Sequence, residues 1–158
     1  MNNKLVKSIL ITAVPLAVTA AAGTVVTNLN LDYPETLKLP PYYPPGWLFA
    51  VVWSIVYILI GVATVLALLK TKNAKEEEKI LFPYSVQLIL NFLWSAIFFA
   101  WRSPWLAFAE ILLLAASIIW MIVVCKKQSG LSAWLLLPYI LWVAFAAFAL
   151  NLPIAVMN

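Results

Sequence analysis

Few side chains in this 158-residue chain can do chemistry, and those that can are aromatic or amide rather than ionic. There is no histidine, so the commonest general base and the usual haem and zinc ligand are missing. The single cysteine, Cys125, allows neither an intrachain disulfide nor a cysteine metal site. No metal centre and no nucleophile–base pair is expected. What remains is a set of aromatic and amide residues at helical spacing. Gln87, Asn91, Trp94/Ser95 and Phe98 step by three or four and share one helix face. Trp53 and Tyr57 are four apart, and Pro138, Trp142, Phe145 and Ala149 share a third face. Aromatic faces with a few oriented hydrogen-bonding groups can line a concave, mostly apolar ligand pocket.

The elements carrying these faces must cross a membrane. Hydrophobic residues make up 65% of the chain and charged residues 10%, against roughly 25% charged in a soluble domain. The expected fold is all-α, a bundle of five transmembrane helices forming one domain over residues 1–158. The spans run roughly over 8–28, 47–69, 80–101, 105–125 and 131–153, with a first loop over 29–46. The first span imitates a signal peptide through Lys4, Lys7 and Ala20 to Ala22, but its apolar run continues past the alanines and reads as a retained span. Pro15 within it predicts a kink. The net charge of +4 comes from loop and terminal lysines and reads as topology, not as a nucleic-acid footprint. The run from Lys70 to Lys79 reads as a solvated linker or helix extension.

Eight of the ten basic residues fall at the N-terminus and in loops two and four. The positive-inside rule therefore expects a cytoplasmic N-terminus and an outward-facing first loop. At ~1.5 Å rise per residue, Trp53 lies about 9 Å, and Tyr57 and Asn91 about 15 Å, below that outer edge. The polar and aromatic positions thus gather beneath loop one, and the other half of the bundle is mostly aliphatic. Gln87 and Asn91 should face the bundle interior, because an amide in hydrocarbon is costly.

Structural readings stand beside these. Trp47, Trp101 and Trp105 fit an interfacial belt. Asn91 and Ser95 serve either a ligand or helix–helix adhesion. For Glu110, snorkelling or pairing with Arg102 across the short turn is favoured over a ligand role. Ala96 and Ala100 form a small-xxx-small pair suited to close packing against a neighbour or a second protomer.

Loop one holds Pro40-Pro41-Tyr42-Tyr43-Pro44-Pro45-Gly46-Trp47. Proline fixes φ and removes an amide donor, so the run is expected to be stiff, extended and non-helical, a lid over the apolar segments.

Three stretches resemble the TspO/MBR family, the tryptophan-rich sensory proteins that include the mitochondrial translocator protein. They are the first loop through Trp53 and Tyr57, then Leu90-Asn91 with Trp94-Ser95 and Phe98-Phe99, and Ser132-Ala133-Trp134 through Trp142, Phe145 and Asn151. The resemblance implies a five-helix bundle, commonly a homodimer, with a ligand pocket under loop one. Family members bind porphyrins, and animal members bind cholesterol and benzodiazepine-type drugs. By motif position the pocket would be lined by Tyr33, Pro44, Trp53, Asn91, Ser95, Phe98, Trp142 and Phe145. Some bacterial members degrade porphyrins in light, and Trp53 and Trp142 occupy the positions implicated.

The chain departs from the family pattern at Leu39, where a lysine is usual, and at Tyr42, commonly tryptophan. A carboxylate contact from the loop is therefore not carried over. The C-terminal sterol motif needs tyrosine followed by Lys or Arg and is missing, so sterol binding is not carried over either. The expected function is a membrane sensor or regulator binding a protoporphyrin-like tetrapyrrole or a drug-like ligand. The alternatives are a tetrapyrrole transporter and a light-dependent porphyrin-degrading activity. No cofactor and no nucleic acid is expected, and the expected location is a prokaryotic cell membrane.

Overall fold

The computed structural model describes residues 3–158. Five of its helices are long and apolar enough to cross a membrane. We label them α1 (Asn3–Asn28), α3 (Gly46–Lys70), α4 (Ala74–Ala100), α5 (Pro104–Gln128) and α6 (Gly130–Met157). The short α2 (Asp32–Glu35) lies in the first loop.

Local chemistry explains the boundaries. Pro45 is extended and hands the chain to α3 at Gly46. The acidic and basic run of loop two begins α4 rather than linking to it. Asn73 caps that helix by accepting from the Glu76 amide at 3.0 Å, and Glu76 reaches back to the Lys72 amide at 2.7 Å. Glu76 and Glu77 sit in the first turn, where the helix dipole favours negative charge. Pro104 opens α5, where no amide is needed, and Ser129 caps α6. Pro15, Pro83 and Pro138 lie inside helices that continue through them.

The helices close into a ring: α1 packs on α3 and α4, α4 on α5, α5 on α6, and α6 back on α3. The tightest packing is toward the lysine-rich end. There Ile60, Ala63, Ala67, Ile80, Ile118, Met121 and Leu136 are fully buried. Toward loop one the space between the same helices is lined by aromatic side chains.

Helix α1 belongs to this ring unevenly. Ser8 and Thr12 are its buried residues, and both lie in the lysine-rich half. Lys4 donates to the carbonyls of Leu69 and Thr71, Lys7 pairs with Glu77 at 2.6 Å, and Tyr84 donates to the Thr12 carbonyl at 2.6 Å. Beyond Pro15, which leaves the Ile11 carbonyl without its helical partner, no α1 residue is buried.

Loop one is less extended than its prolines suggest. One helical turn occupies Asp32–Glu35, and the Tyr43 amide donates to the Pro40 carbonyl at 2.9 Å. The prolines explain the second feature, because Pro41 supplies the φ that a β-turn needs at its second residue. Both α4 and α6 contain a π-helical turn near this end, at Ala96–Ala100 and Ala146–Asn151. Ala96 and Ala100 thus sit where α-helical i, i+4 spacing no longer holds, as the Trp101 amide bonding back five residues to Ala96 shows.

Arg102 does not meet Glu110. It turns the chain between α4 and α5 with φ of 54°, pairs with Asp32 at 2.8 Å, and lies over the Tyr33 ring at 5.5 Å. The left-handed turn aims it at loop one, while Glu110 rotates inward with Ala107, Leu114 and Ser117. The ion pair is exposed and contributes at most about 1 kcal/mol, and the cation–π contact about as much. A non-glycine residue at that φ costs about 1–2 kcal/mol. Arg102→Ala should therefore lower the melting temperature more than Arg102→Gly, which loses the same contacts but removes the strain. A larger loss from the glycine variant, measured in detergent, would contradict this.

Candidate functional site

Two adjoining cavities lie under loop one. The larger encloses about 640 Å³, within the usual range for ligand pockets. Its walls include Ala20, Gly23, Thr24 and Thr27 of α1, Phe49, Ala50, Trp53, Ser54 and Tyr57 of α3, and Asn91, Trp94, Ser95 and Phe99 of α4, with Leu31, Pro34 and Tyr43 from the loop. The smaller holds about 30 Å³ between α3, α4, α5 and α6. Tyr43, Phe49, Trp53, Asn91 and Trp94 border both.

Aromatic contacts fix the partition between them. Trp94 stacks on Phe98 at 5.2 Å with the rings 12° apart, and its indole N–H donates to Asn151 Oδ1 at 3.1 Å. Asn151 in turn donates to the Ala146 carbonyl at 2.8 Å, across the widened turn of α6. Trp53 lies 5.7 Å from Tyr57 and 6.2 Å from Tyr139. Phe49 bridges Tyr43 at 5.5 Å and Trp142 at 5.7 Å. Burial raises the Tyr43 phenol above its ordinary pKa.

A polar chain runs from the large cavity into the core. Tyr57 donates to Asn91 Oδ1 at 2.7 Å, Asn91 Nδ2 donates to Tyr139 at 3.0 Å, and Tyr139 donates to Gln87 Oε1 at 2.9 Å. Gln87, Asn91 and Tyr139 are buried, as their amide and phenol groups require in hydrocarbon. Gln87 and Asn91 thus face inward, as their spacing on α4 predicts.

The residues expected from sequence take different places. Trp53 and Asn91 border both cavities, Ser95 borders the larger, and Phe98 and Trp142 the smaller. Tyr33 stands behind Phe98, edge-on at 5.8 Å, and borders neither. Pro44 is buried in the loop and also borders neither. Phe145 is 38% exposed and packs on Trp142 at 5.5 Å from outside. On α6 the interior face is Leu136, Tyr139 and Val143, while Pro138 and Phe145 lie on the exposed side.

Sequence reading marks Ala13, Ala17 and Ala21 as a small-residue stripe of α1, but it does not single out Tyr43, Phe49 or the small residues of α1 that border the cavity. Ala20, Gly23, Thr24 and Thr27 stand at i, i+3, i+4 and i+7, one helix face, which is a legible signal for a wall made of small side chains.

Glu110 is a carboxylate buried within α5, 5% exposed, with neither oxygen hydrogen-bonded. It borders neither cavity. Replacing a buried polar group of this kind by an apolar one of similar length is expected to stabilise the fold by about 1–3 kcal/mol. Glu110→Met should raise the melting temperature, and a fall would show that Glu110 has a partner the bundle needs.

A bundle of five spans, with paired aromatic and amide positions beneath a proline-rich loop, matches a known family model. The TspO/MBR family model covers residues 11–156. The chain belongs to the TspO/MBR family. It is 36% identical over 160 residues to the tryptophan-rich protein TspO of Chlorobaculum tepidum, covering 100% of this chain and 99% of that one. It is 31% identical to the uncharacterized membrane protein YtaB of Bacillus subtilis, over 98% of each. It is 33% identical to the translocator protein of Ovis aries, over 71% of this chain and 67% of that one. The chain is thus an integral, multi-pass membrane protein of this family.

Proposed function

We propose that this TspO/MBR protein is a membrane sensor or regulator that takes a porphyrin or similar flat apolar molecule into the large cavity, with loop one as its lid. The observation that carries the reading is the cavity itself: about 640 Å³, walled by Trp53, Tyr57, Trp94 and Phe99. The buried amide on its wall, Asn91, is already oriented by Tyr57. Indole and phenol faces stack on a planar macrocycle, and the polar pair fixes its orientation. In this reading the lysine-rich end faces the cytoplasm of a prokaryotic cell and loop one faces outward. The working unit is a homodimer, and no cofactor is needed.

Titration of the purified protein with protoporphyrin IX should quench tryptophan fluorescence saturably with roughly micromolar affinity, worth about 8 kcal/mol. Absence of saturable quenching would sink the reading. Trp53 and Trp142 meet at the small cavity, which favours a light-dependent activity as the second reading. Loss of the porphyrin absorption band only under illumination, abolished by Trp142→Phe, would establish it. Accumulation of unchanged porphyrin inside proteoliposomes would establish transport instead.

A further inference from the structure

Loop one is fastened over the cavity at three points. Arg102 holds Asp32 and Tyr33, Asn158 exchanges two hydrogen bonds with the Lys38 backbone at 2.8 and 3.1 Å, and Tyr33 is buried beside Phe98 and Ile154. The side of the bundle is not fastened in this way. Among the residues bordering the large cavity, Thr24 and Asn28 of α1, Leu31 at the start of loop one, and Gly46, Ala50 and Ser54 of α3 are exposed, whereas Asn91 of α4 is buried. An exposed residue that also lines the cavity marks an opening, and here its two long edges lie on the spanning helices α1 and α3, with Leu31 of loop one at its upper end.

The opening has defined limits. A Cβ on Gly23 would meet Ser95 Oγ at 3.6 Å, so α1 and α4 are in contact at this level. A Cβ on Gly61 would meet Leu16 Cδ2 at 3.2 Å, so α1 and α3 touch closer to the lysine-rich end. Between these contacts and loop one, a window remains between α1 and α3. Its hydroxyls are turned away from traffic: Thr24 donates to the Ala20 carbonyl at 2.8 Å and Ser54 to the Ala50 carbonyl at 2.7 Å. Satisfied within their own helices, they can face hydrocarbon without cost. No charged side chain borders the cavity.

We propose that the window between α1 and α3 is a lateral portal, through which an uncharged, planar, apolar ligand dissolved in the bilayer reaches the large cavity while loop one stays closed. The portal rests on the ligand-binding reading above, and it adds a route and a selection rule. A ligand that keeps its charge must travel elsewhere, because nothing along this path pairs with it.

The probe is protoporphyrin IX dimethyl ester dissolved in phosphatidylcholine vesicles, with binding followed by porphyrin fluorescence. A Ser54→Cys variant is compared before and after reaction with N-cyclohexylmaleimide, with buried Cys125 as the only other thiol. The label should slow association about tenfold and slow dissociation with it, so the equilibrium affinity moves less than the rates. Arg102→Ala, which loosens the loop-one end, should leave the association rate within about twofold of the unsubstituted protein. Unchanged association in the labelled protein would overturn the portal, as would a tenfold rise in Arg102→Ala. If the ester shows no saturable binding to the unsubstituted protein, the ligand-binding reading fails first and separately.

Discussion

Replacing Asn91 by leucine should cost this protein both stability and ligand affinity. The side chain accepts from Tyr57 and donates to Tyr139, so its loss breaks one part-buried and one buried hydrogen bond and leaves both phenols short of a partner. In water-soluble cores each orphaned group costs about 1–3 kcal/mol. Hydrogen bonds between membrane helices average about 0.6 and reach about 1.7 kcal/mol, because the dissociated helices also find partners. The second scale governs here, and Asn91→Leu is expected to destabilise by about 1–3 kcal/mol. Tyr57→Phe, which removes one of the two bonds, should lose about half as much. Unfolding in mixed micelles checks both. Protoporphyrin affinity should fall about tenfold in Asn91→Leu, since Asn91 borders both cavities and is the amide held by Tyr57. Wild-type affinity in a folded Asn91→Leu protein would place the ligand elsewhere.

The other large effect belongs to Trp53. Its ring borders both cavities and touches Tyr57 and Tyr139. Trp53→Ala removes the surface they share and merges the two spaces. Truncating a fully buried aromatic residue costs about 3–5 kcal/mol, and for this half-buried one about 2–3 kcal/mol is expected. Loss of a stacking face should weaken protoporphyrin binding at least about tenfold, whereas Trp53→Phe keeps a face and should lose about threefold. Equal affinities for the alanine and phenylalanine variants in fluorescence titrations would show that stacking at this position does not hold the ligand.

How far the site was legible differs residue by residue. Gln87 and Asn91 were readable because an amide in a spanning helix has one affordable direction, inward, and their four-residue spacing puts them on a common face. Phe145 was not, because an aromatic ring is equally at home against lipid and against a ligand. Three residues beyond Trp142, it falls on the exposed side of α6. Glu110 and Arg102 are neighbours in sequence that look like a pair. A left-handed φ at Arg102 and the inward rotation of α5 send one to loop one and the other into the core. Backbone handedness at a tight turn has no signature in an arginine codon or in any window of hydropathy.

Composition by itself determined the class: too few charges for a water-facing surface, and five apolar runs each long enough to span a bilayer, because each backbone must satisfy its own hydrogen bonds in hydrocarbon. The α4 amide face and the proline-rich loop were equally explicit. Tertiary structure alone decided which aromatic residues meet. Trp53 and Trp142 are 89 positions apart, and only the ring closure of α3 onto α6 brings them to one cavity. It also decided that α1 is held at its lysine-rich half and merely walls the cavity at the other. Helix periodicity says which residues share a face, but the neighbour that face meets, or the gap it leaves, follows from how five helices divide limited packing surface among themselves.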